Sequence, residues 1–189
     1  MTTNEKIITV FGSSRPEPGT GDYEEARMLG KALAKRGFAV CTGGYGGVME
    51  GVSRGAREAG GKTYGVTAEF FSRSANSWVE VEVRKKTWQE RLFALIAMGD
   101  GFVACKGGTG TLVELAVVWE MLNKDVMRRK PFAVLGPFWQ PILDCVREVE
   151  MGPSARVWGE ANGKLVYSAA TAEDAAAHLD EKLNSKTQK

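Results

Sequence analysis

The segment Cys105–Glu114 reads CKGGTGTLVE and joins two patterned stretches of sequence. Before it stands the short apolar run Gly101–Ala104 (GFVA), typical of a buried strand; after it, LAVVWEMLNK has the apolar spacing of a helix. A glycine-rich turn in this position lets backbone N–H groups approach an anion, and the positive end of the helix dipole adds to the attraction. The segment therefore predicts a strand–turn–helix unit that faces an anion, with the carboxylate of Glu114 about one helical turn further on.

The same alternation of strand and helix patterns runs along the chain. Strands are predicted at Ile7–Phe11, Phe38–Thr42, Thr63–Thr67, Gly101–Ala104, Pro131–Leu135 and Leu165–Ser168, with a short edge strand in Val79–Val83. Helices are predicted at Tyr23–Arg36, Val48–Ala59, Trp88–Met98, Thr111–Asn123, Ile142–Val149 and Thr171–Leu183. Repeated β–α units predict the α/β class: one nucleotide-binding domain over residues 1–189, built on a doubly wound, Rossmann-like, mostly parallel sheet with helices on both faces. The tail from about residue 185 is expected to fray.

Composition and charge exclude several classes of protein. The formal net charge is only +2, which gives no indication of binding to nucleic acid or to a membrane surface. No apolar run approaches the roughly 18 residues of a membrane span. The N-terminal MTTNEKIITVFG lacks the apolar core of a signal peptide. We therefore expect a cytoplasmic protein.

Cysteine and histidine usage argues against metal and triad chemistry. Cys41, Cys105 and Cys145 are far apart and form no CxxC pair, so neither a disulfide framework nor a zinc site is expected. His178 is the only histidine. A Ser-His-Asp triad or a histidine-rich metal site is therefore excluded, and we expect no metal.

Three glycine-rich loops follow predicted strands, and doubly wound sheets bind ligands at the carboxyl ends of their strands. The loops are GSSR after Phe11, GGYGG after Thr42 and KGGTG after Cys105. Their glycines either surround an anion or only permit tight turns and close packing of helix on strand. The residues predicted to bind phosphate or nucleotide are Gly12, Ser13, Gly43, Gly44, Gly46, Gly47, Lys106, Gly107, Gly108, Thr109, Gly110 and Thr111.

These loops favour a mononucleotide over other nucleotides. The Walker A pattern GxxxxGK[ST] is absent, and the first loop lacks GxGxxG. The second strand ends in Cys41-Thr42, where a dinucleotide site usually has an acidic residue for the ribose 2′-hydroxyl. An NAD site is therefore disfavoured, and no cofactor is expected.

Two charged residues near the third loop are open to two interpretations each. Thr111 and Glu114 satisfy the capping-box pattern [ST]xx[DE], so Glu114 either caps its helix or stands beside a bound phosphate. In the second case its carboxylate activates water or stabilises an oxocarbenium-like sugar during glycosyl cleavage. Arg91, on the preceding helix, is either a solvated surface residue or a bidentate phosphate ligand.

Several of these segments together resemble one known family. KGGTGTLVE resembles the PGGxGTxxE motif of the LOG proteins, long labelled lysine-decarboxylase-like, and VFGSSR resembles their opening strand and loop. LGKALAKRGFAVCTGGYGGVMEGVSRGAREAGGKTYGV is similar to the family's second strand, GG loop and following βα unit. Arg91 lies fifteen positions before Lys106, the family's spacing from its arginine to the motif. The resemblance extends over roughly residues 7–136.

The resemblance implies a phosphoribohydrolase that cleaves the N-glycosidic bond of an AMP-like nucleoside 5′-monophosphate, giving free base and ribose 5-phosphate. It implies that Glu114 and Arg91 form the catalytic pair, with Glu114 acting on the ribose and Arg91 orienting Glu114 or the substrate. By the same resemblance Ser13 and the loop 43–47 line the nucleotide pocket, and the protein is a homodimer. The resemblance also implies that the phosphate is bound by Gly107, Gly108, Gly110 and Thr111. Nothing in the sequence indicates a Schiff-base lysine for pyridoxal phosphate.

The sequence also departs from the family pattern. Lys106 replaces the motif's proline, Leu92 replaces a lysine after the arginine, and Trp88-Gln89-Glu90 replaces Met-His-Glu. These changes bear on the identity of the base more than on the phosphate loop. Because GGYGGVMEGVSRGA is also similar to the molybdenum-cofactor carrier branch of this superfamily, the alternative is a non-catalytic protein that binds a nucleotide or that cofactor.

Overall fold

The computed structural model describes residues 5–151 and 163–184, and its central feature is a sheet of seven strands. The strands are β1 (Ile7–Phe11), β2 (Ala39–Thr42), β3 (Thr63–Ala68), β4 (Val81–Lys85), β5 (Gly101–Ala104), β6 (Phe132–Leu135) and β7 (Val166–Ala169). Their order is β4-β3-β2-β1-β5-β6-β7, and every neighbouring pair is parallel. The predicted α/β class and parallel sheet are confirmed, and the expected edge strand is β4. The tail expected to fray lies outside the described residues.

An α-helix lies in the crossover between successive parallel strands, except between β3 and β4. The helices are α1 (Gly21–Lys35), α2 (Val48–Glu58), α3 (Trp88–Met98), α4 (Thr109–Asn123), α5 (Gln140–Met151) and α6 (Ala172–Asn184), and a short 3-10 turn at Glu69–Phe71 follows β3. Each helix begins and ends within two residues of its predicted bounds. None of the helices in the described ranges is long and apolar enough to cross a membrane.

Alternating strand residues separate two apolar cores, one on each face of the sheet. On β1, Ile8 and Val10 pack in the core that includes the apolar faces of α1, α2 and α6, whereas Phe11 packs in the core that includes those of α3, α4 and α5. On the first face α1 and α2 approach so closely that a Cβ on Gly55 would lie 1.8 Å from the Arg27 carbonyl oxygen. Helices thus cover both faces, and the carboxyl edge of the sheet stays open for loops.

The strand order reverses beside β1. The chain places β2, β3 and β4 successively on one side of β1, then returns through α3 and places β5 on the other side. The loops after β1 and β5 therefore diverge to opposite faces and open a crevice, the usual ligand position in such sheets. Two backbone hydrogen bonds hold these strand ends together: Cys105 N–H donates to the Phe11 carbonyl (2.9 Å) and Ser13 N–H donates to the Lys106 carbonyl (3.2 Å).

Candidate active site

The turn between β5 and α4 presents the N-terminus of α4 to this crevice. Gly108 is the N-cap and has no side chain with which to cap the helix, and the first turn contains no acidic residue. The N–H groups of Thr109, Gly110 and Thr111 precede the first intrahelical hydrogen bond, from Leu112 N–H to the Gly108 carbonyl (2.9 Å). Free donors at the positive end of a 15-residue helix make a suitable anion site.

The glycines of this turn have two different roles. A Cβ on Gly107 would lie 2.2 Å from Thr111 Oγ1, so Gly107 is required for packing inside the turn. A Cβ on Gly108 or Gly110 would meet nothing within 4 Å. Gly107 therefore serves packing, whereas Gly108 and Gly110 leave the surface of the helix N-terminus open; an anion at these two glycines stays a prediction.

Arg91 is buried, with 7% of its surface exposed, so the interpretation as a solvated surface residue is wrong. Its Nε donates to the Val66 carbonyl (2.8 Å) at the end of β3. Its guanidinium carbon lies 5.5 Å from the ring centre of Tyr45 and 5.8 Å from that of Phe71. A backbone acceptor and two aromatic faces thus fix the guanidinium.

Glu114 faces Arg91 across the crevice. The distance from Glu114 Oε1 to Arg91 Nη1 is 3.7 Å, and 13% of the glutamate side chain is exposed. Burial raises the pKa of the Glu114 carboxyl from its ordinary 4.5 to about 7, and the positive charge of Arg91 opposes the rise. At neutral pH this carboxyl is populated in both its protonated and its ionised form, as an acid–base group requires.

The capping-box interpretation of Glu114 is wrong. Helix α4 begins at Thr109, two residues earlier than predicted, and its N-cap is Gly108. Glu114 therefore lies in the second helical turn, beyond reach of the cap. The capping box in this region is on α3, where Thr87 Oγ1 accepts from Glu90 N–H and the Glu90 carboxylate accepts from Thr87 N–H.

The GGYGG loop supports the site from behind. A Cβ on Gly43 would lie 1.7 Å from Arg91 Nη2, so this glycine makes room for the guanidinium. Gly44 and Gly47 have positive φ (78° and 69°), and a Cβ on Gly47 would lie 2.4 Å from the Ser13 carbonyl oxygen. A Cβ on Gly46 would meet atoms only at ordinary contact distances. None of the four lines the cavity as the sequence predicted; Gly43 packs against Arg91, Gly44 against β3 and Gly47 against the first loop.

The one residue of this loop that lines the cavity is Tyr45, which the sequence reasoning included in the loop 43–47 but did not single out. Its hydroxyl accepts from Ala68 N–H (2.9 Å) and donates to the Ala68 carbonyl (3.3 Å), and its ring lies under Arg91. An aromatic residue inside a glycine loop is the only sequence signal that pointed to it. Tyr45 thus joins the GGYGG loop to the end of β3.

A single open cavity of about 1260 Å³ contains the other predicted site residues. Those lining it are Gly12, Ser13, Arg91, Lys106, Gly107, Gly108, Thr109, Gly110, Thr111 and Glu114. The structure adds Arg15, Glu17 and Asp22 from the loop and helix after β1, Arg73 from the segment after β3, and several aromatic rings. Phe70 and Phe71 also line it, whereas Trp78 does not: the Arg54 guanidinium carbon lies 5.5 Å from the Trp78 ring centre.

Lys106, in the position of the motif's proline, is paired with an acidic neighbour. Its Nζ lies 2.9 Å from Asp22 Oδ2, and about half of its side chain is exposed. Both residues line the cavity beside the N-terminus of α4. The ammonium group therefore lies on the wall of the cavity at which the sequence predicts an anion. Across residues 5–151 and 163–184, no group of three or more His, Cys, Asp or Glu side chains has an arrangement that could hold a metal ion.

Comparison with known proteins gives relatives consistent with this geometry. A family model described as the SLOG cluster4 family matches residues 5–136. The cytokinin riboside 5′-monophosphate phosphoribohydrolase LOG of Oryza sativa subsp. japonica is 30% identical to the chain over 184 residues, covering 93% of this chain and 73% of the rice protein. That relative is named as a phosphoribohydrolase.

Solved structures with the same fold include proteins named for a different role. The molybdenum cofactor binding protein of Rippkaea orientalis superposes with a TM-score of 0.75 at 23% identity, covering 99% of this chain and all of that one. A Moco carrier protein of Chlamydomonas reinhardtii superposes with a TM-score of 0.73 at 25% identity, covering 96% and 99%. The first likeness shows the fold alone. The fold is therefore shared by proteins named as enzymes and proteins named as carriers.

Proposed function

The chain belongs to the SLOG cluster4 family and to the wider group of LOG proteins, and from that premise we propose that it is a phosphoribohydrolase. It hydrolyses the N-glycosidic bond of a nucleoside 5′-monophosphate to free base and ribose 5-phosphate. The observation that carries the proposal is the buried pair of Arg91 and Glu114, 3.7 Å apart, beside an open helix N-terminus in one cavity.

The helix geometry supports a phosphate at the N-terminus of α4 and a sugar over Glu114. Residues four apart lie on the same helix face, so Glu114 shares a face with Gly110. Helical side chains lean toward the N-terminus, which directs the Glu114 carboxylate over the turn that carries the free N–H groups. Because Gly110 has no side chain, the space between the anion site and the carboxylate is open to a sugar.

In the proposed reaction, the bond from C1′ to the base nitrogen breaks, and the electron pair leaves with the base, which takes up a proton. Water forms the new bond to C1′ and gives a proton to the Glu114 carboxylate; Glu114 then releases that proton to solvent, from which the departing base takes up its own. The ionised carboxylate also stabilises the oxocarbenium-like transition state. Arg91, fixed by Val66 and two aromatic rings, orients Glu114. Its positive charge lowers the pKa of the buried Glu114 carboxyl and so favours the ionised form.

A second candidate function is a non-catalytic carrier of a nucleotide or of the molybdenum cofactor. It is supported by the end-to-end likeness to the Chlamydomonas reinhardtii carrier and by the departures at Lys106 and Leu92. A carrier would use the same N-terminus of α4 to bind a phosphate group. It differs from the enzyme in one respect: the bound ligand leaves unchanged.

The test is incubation of the purified protein with AMP and the other nucleoside 5′-monophosphates, with free base measured by chromatography. The variant Glu114→Gln removes the ionisable group, and Glu120→Gln is a matched control on the exposed side of the same helix. The enzyme requires base release by the parent and by Glu120→Gln, and its loss in Glu114→Gln with the fold intact. Binding of a monophosphate without release of any base would refute the enzyme and support the carrier.

A further inference from the structure

Exposed aromatic rings line the cavity on both sides of β1. Phe70 and Phe71 come from the turn after β3 and Phe138 from the loop after β6; all three line the cavity, with 74%, 38% and 45% of their surfaces exposed. Trp88, at the start of α3, lines it as well. Large apolar side chains that are exposed together on a concave surface mark a ligand contact.

These rings are not equally available. Phe71 has Tyr45 at one edge, with ring centres 5.6 Å apart, and the Arg91 guanidinium over its face. The one ring contact of Phe70 among the described residues is an edge contact with Phe71, with centres 5.3 Å apart. Phe70 is thus supported from one side, lines the cavity, and has most of its surface exposed.

The position of these rings fits a ligand that extends from the anion site past Glu114. Through Arg91, the ring centre of Phe71 lies within about 11 Å of the Glu114 carboxylate. In the proposed pose, the group on C1′ of a sugar over Glu114 extends toward the part of the cavity lined by Phe71 and Phe70. The face of an aromatic ring is the surface on which a planar heterocycle stacks, with little dependence on which heterocycle it is.

We propose that Phe70 is the stacking platform for the planar heterocycle of the ligand, and that this stacking, more than hydrogen bonding to the base, sets the substrate class. The inference rests on the proposed function only for the phosphate at α4 and the sugar at Glu114. The ligand class is a sugar phosphate that carries an aromatic heterocycle. Two-ring heterocycles bind more tightly than one-ring ones, because they cover more of the ring.

The test compares ligands that share the phosphate and differ at the other end. Affinities of AMP, of UMP and of ribose 5-phosphate are measured by titration calorimetry with Phe70→Ala, Phe70→Trp and Phe93→Ala. Phe93 is the matched control, a phenylalanine on α3 that is 55% exposed and does not line the cavity. Every protein carries Glu114→Gln, which keeps the nucleotide intact during the titration.

The expected result is that Phe70→Ala weakens AMP binding about 5- to 100-fold and UMP binding less, while ribose 5-phosphate binds as before. Phe70→Trp retains AMP affinity, and Phe93→Ala changes nothing. Equal weakening of all three ligands, or unchanged AMP affinity, would overturn the proposal. So would a change of oligomeric state in Phe70→Ala, since that result would place the ring in a contact between copies. Because binding is measured without turnover, the stacking proposal survives if the protein releases no base.

Discussion

Replacing Glu114 with glutamine is expected to make the folded protein more stable at neutral and alkaline pH. The carboxyl is buried, and its pKa is about 7 in the folded state against an ordinary 4.5. A carboxyl whose pKa is raised by folding destabilises the fold once the unfolded chain can ionise. Glutamine has nearly the same shape and no charge, so the variant is free of this penalty.

The magnitude follows from the two pKa values. Below about pH 4.5 Glu114 is protonated in both the folded and the unfolded state, so it does not lower the free energy of unfolding. Between pH 4.5 and 7 the unfolded state ionises while the folded state keeps its proton, so the free energy of unfolding falls. Above pH 7 both states are ionised and the loss is constant. A difference of about 2.5 pKa units corresponds to about 3 kcal/mol. For a chain of this length, that is a rise in Tm of roughly 6–12 °C at pH 8.

The assay is thermal or urea denaturation of the parent and Glu114→Gln at pH 4 and pH 8, with Glu120→Gln as the control. The expected stabilisation appears at pH 8 and vanishes at pH 4, and the control matches the parent at both. The opposing contribution is the charge of Arg91, which loses its counter-ion in the variant. A Glu114→Gln protein less stable than the parent at pH 8 would show that the ion pair outweighs desolvation and would refute the reasoning.

Three further substitutions test single contacts of the site. Gly43→Ala puts a methyl group 1.7 Å from Arg91 Nη2, so the guanidinium is displaced. Base release, measured by steady-state kinetics, should fall at least about 100-fold. The free energy of unfolding, measured by urea denaturation, should fall by about 1–3 kcal/mol. The methyl group of Gly110→Ala meets nothing within 4 Å, so Tm should stay equal or rise. AMP affinity should fall, because the methyl group occupies the space proposed for the sugar. Calorimetry that found AMP affinity unchanged would contradict the proposed position of the sugar. Lys106→Met removes a cation beside the proposed anion site. AMP affinity should fall about 5-fold at low salt and depend less on salt concentration than in the parent, with Lys164→Met as the control. The same dependence of AMP affinity on salt in parent and variant would count against a phosphate contact.

The local pattern was sufficient for the strands, the helices and the position of the glycine-rich loop between β5 and α4. Glycine-rich turns after apolar runs identify the carboxyl ends of β1 and β5, because apolar spacing defines the elements and parallel strands place their ends at one edge. The start of α4 was misplaced by two residues, since Thr111 satisfies a capping pattern that the structure does not use. A pattern of four residues cannot reveal that the open glycine at 108 is the N-cap.

The surroundings of Arg91 were beyond the reach of sequence reasoning for a different reason. Its hydrogen-bond acceptor, Val66, lies 25 residues away along the chain, and the rings of Tyr45 and Phe71 come from two other loops. Burial of an arginine depends on contacts made only after the sheet assembles. The same holds for Gly43, whose role is to leave space for a side chain from α3. Sequence spacing predicted which residues converge but not which of them face the ligand.

The charge of Glu114 also separates an enzyme from a carrier. A phosphate-bearing ligand is an anion, so an ionised carboxylate in the same cavity weakens its binding, and a carrier that needs only affinity would be better served by glutamine. We therefore expect Glu114→Gln to bind AMP more tightly than the parent at pH 8, where the carboxyl is mostly ionised, and equally at pH 5. Tighter binding together with lost base release is the combination expected of a group that acts in the transition state. Weaker AMP binding by the variant at pH 8 would mean that the carboxylate contacts the ligand directly in the ground state, and would favour the carrier.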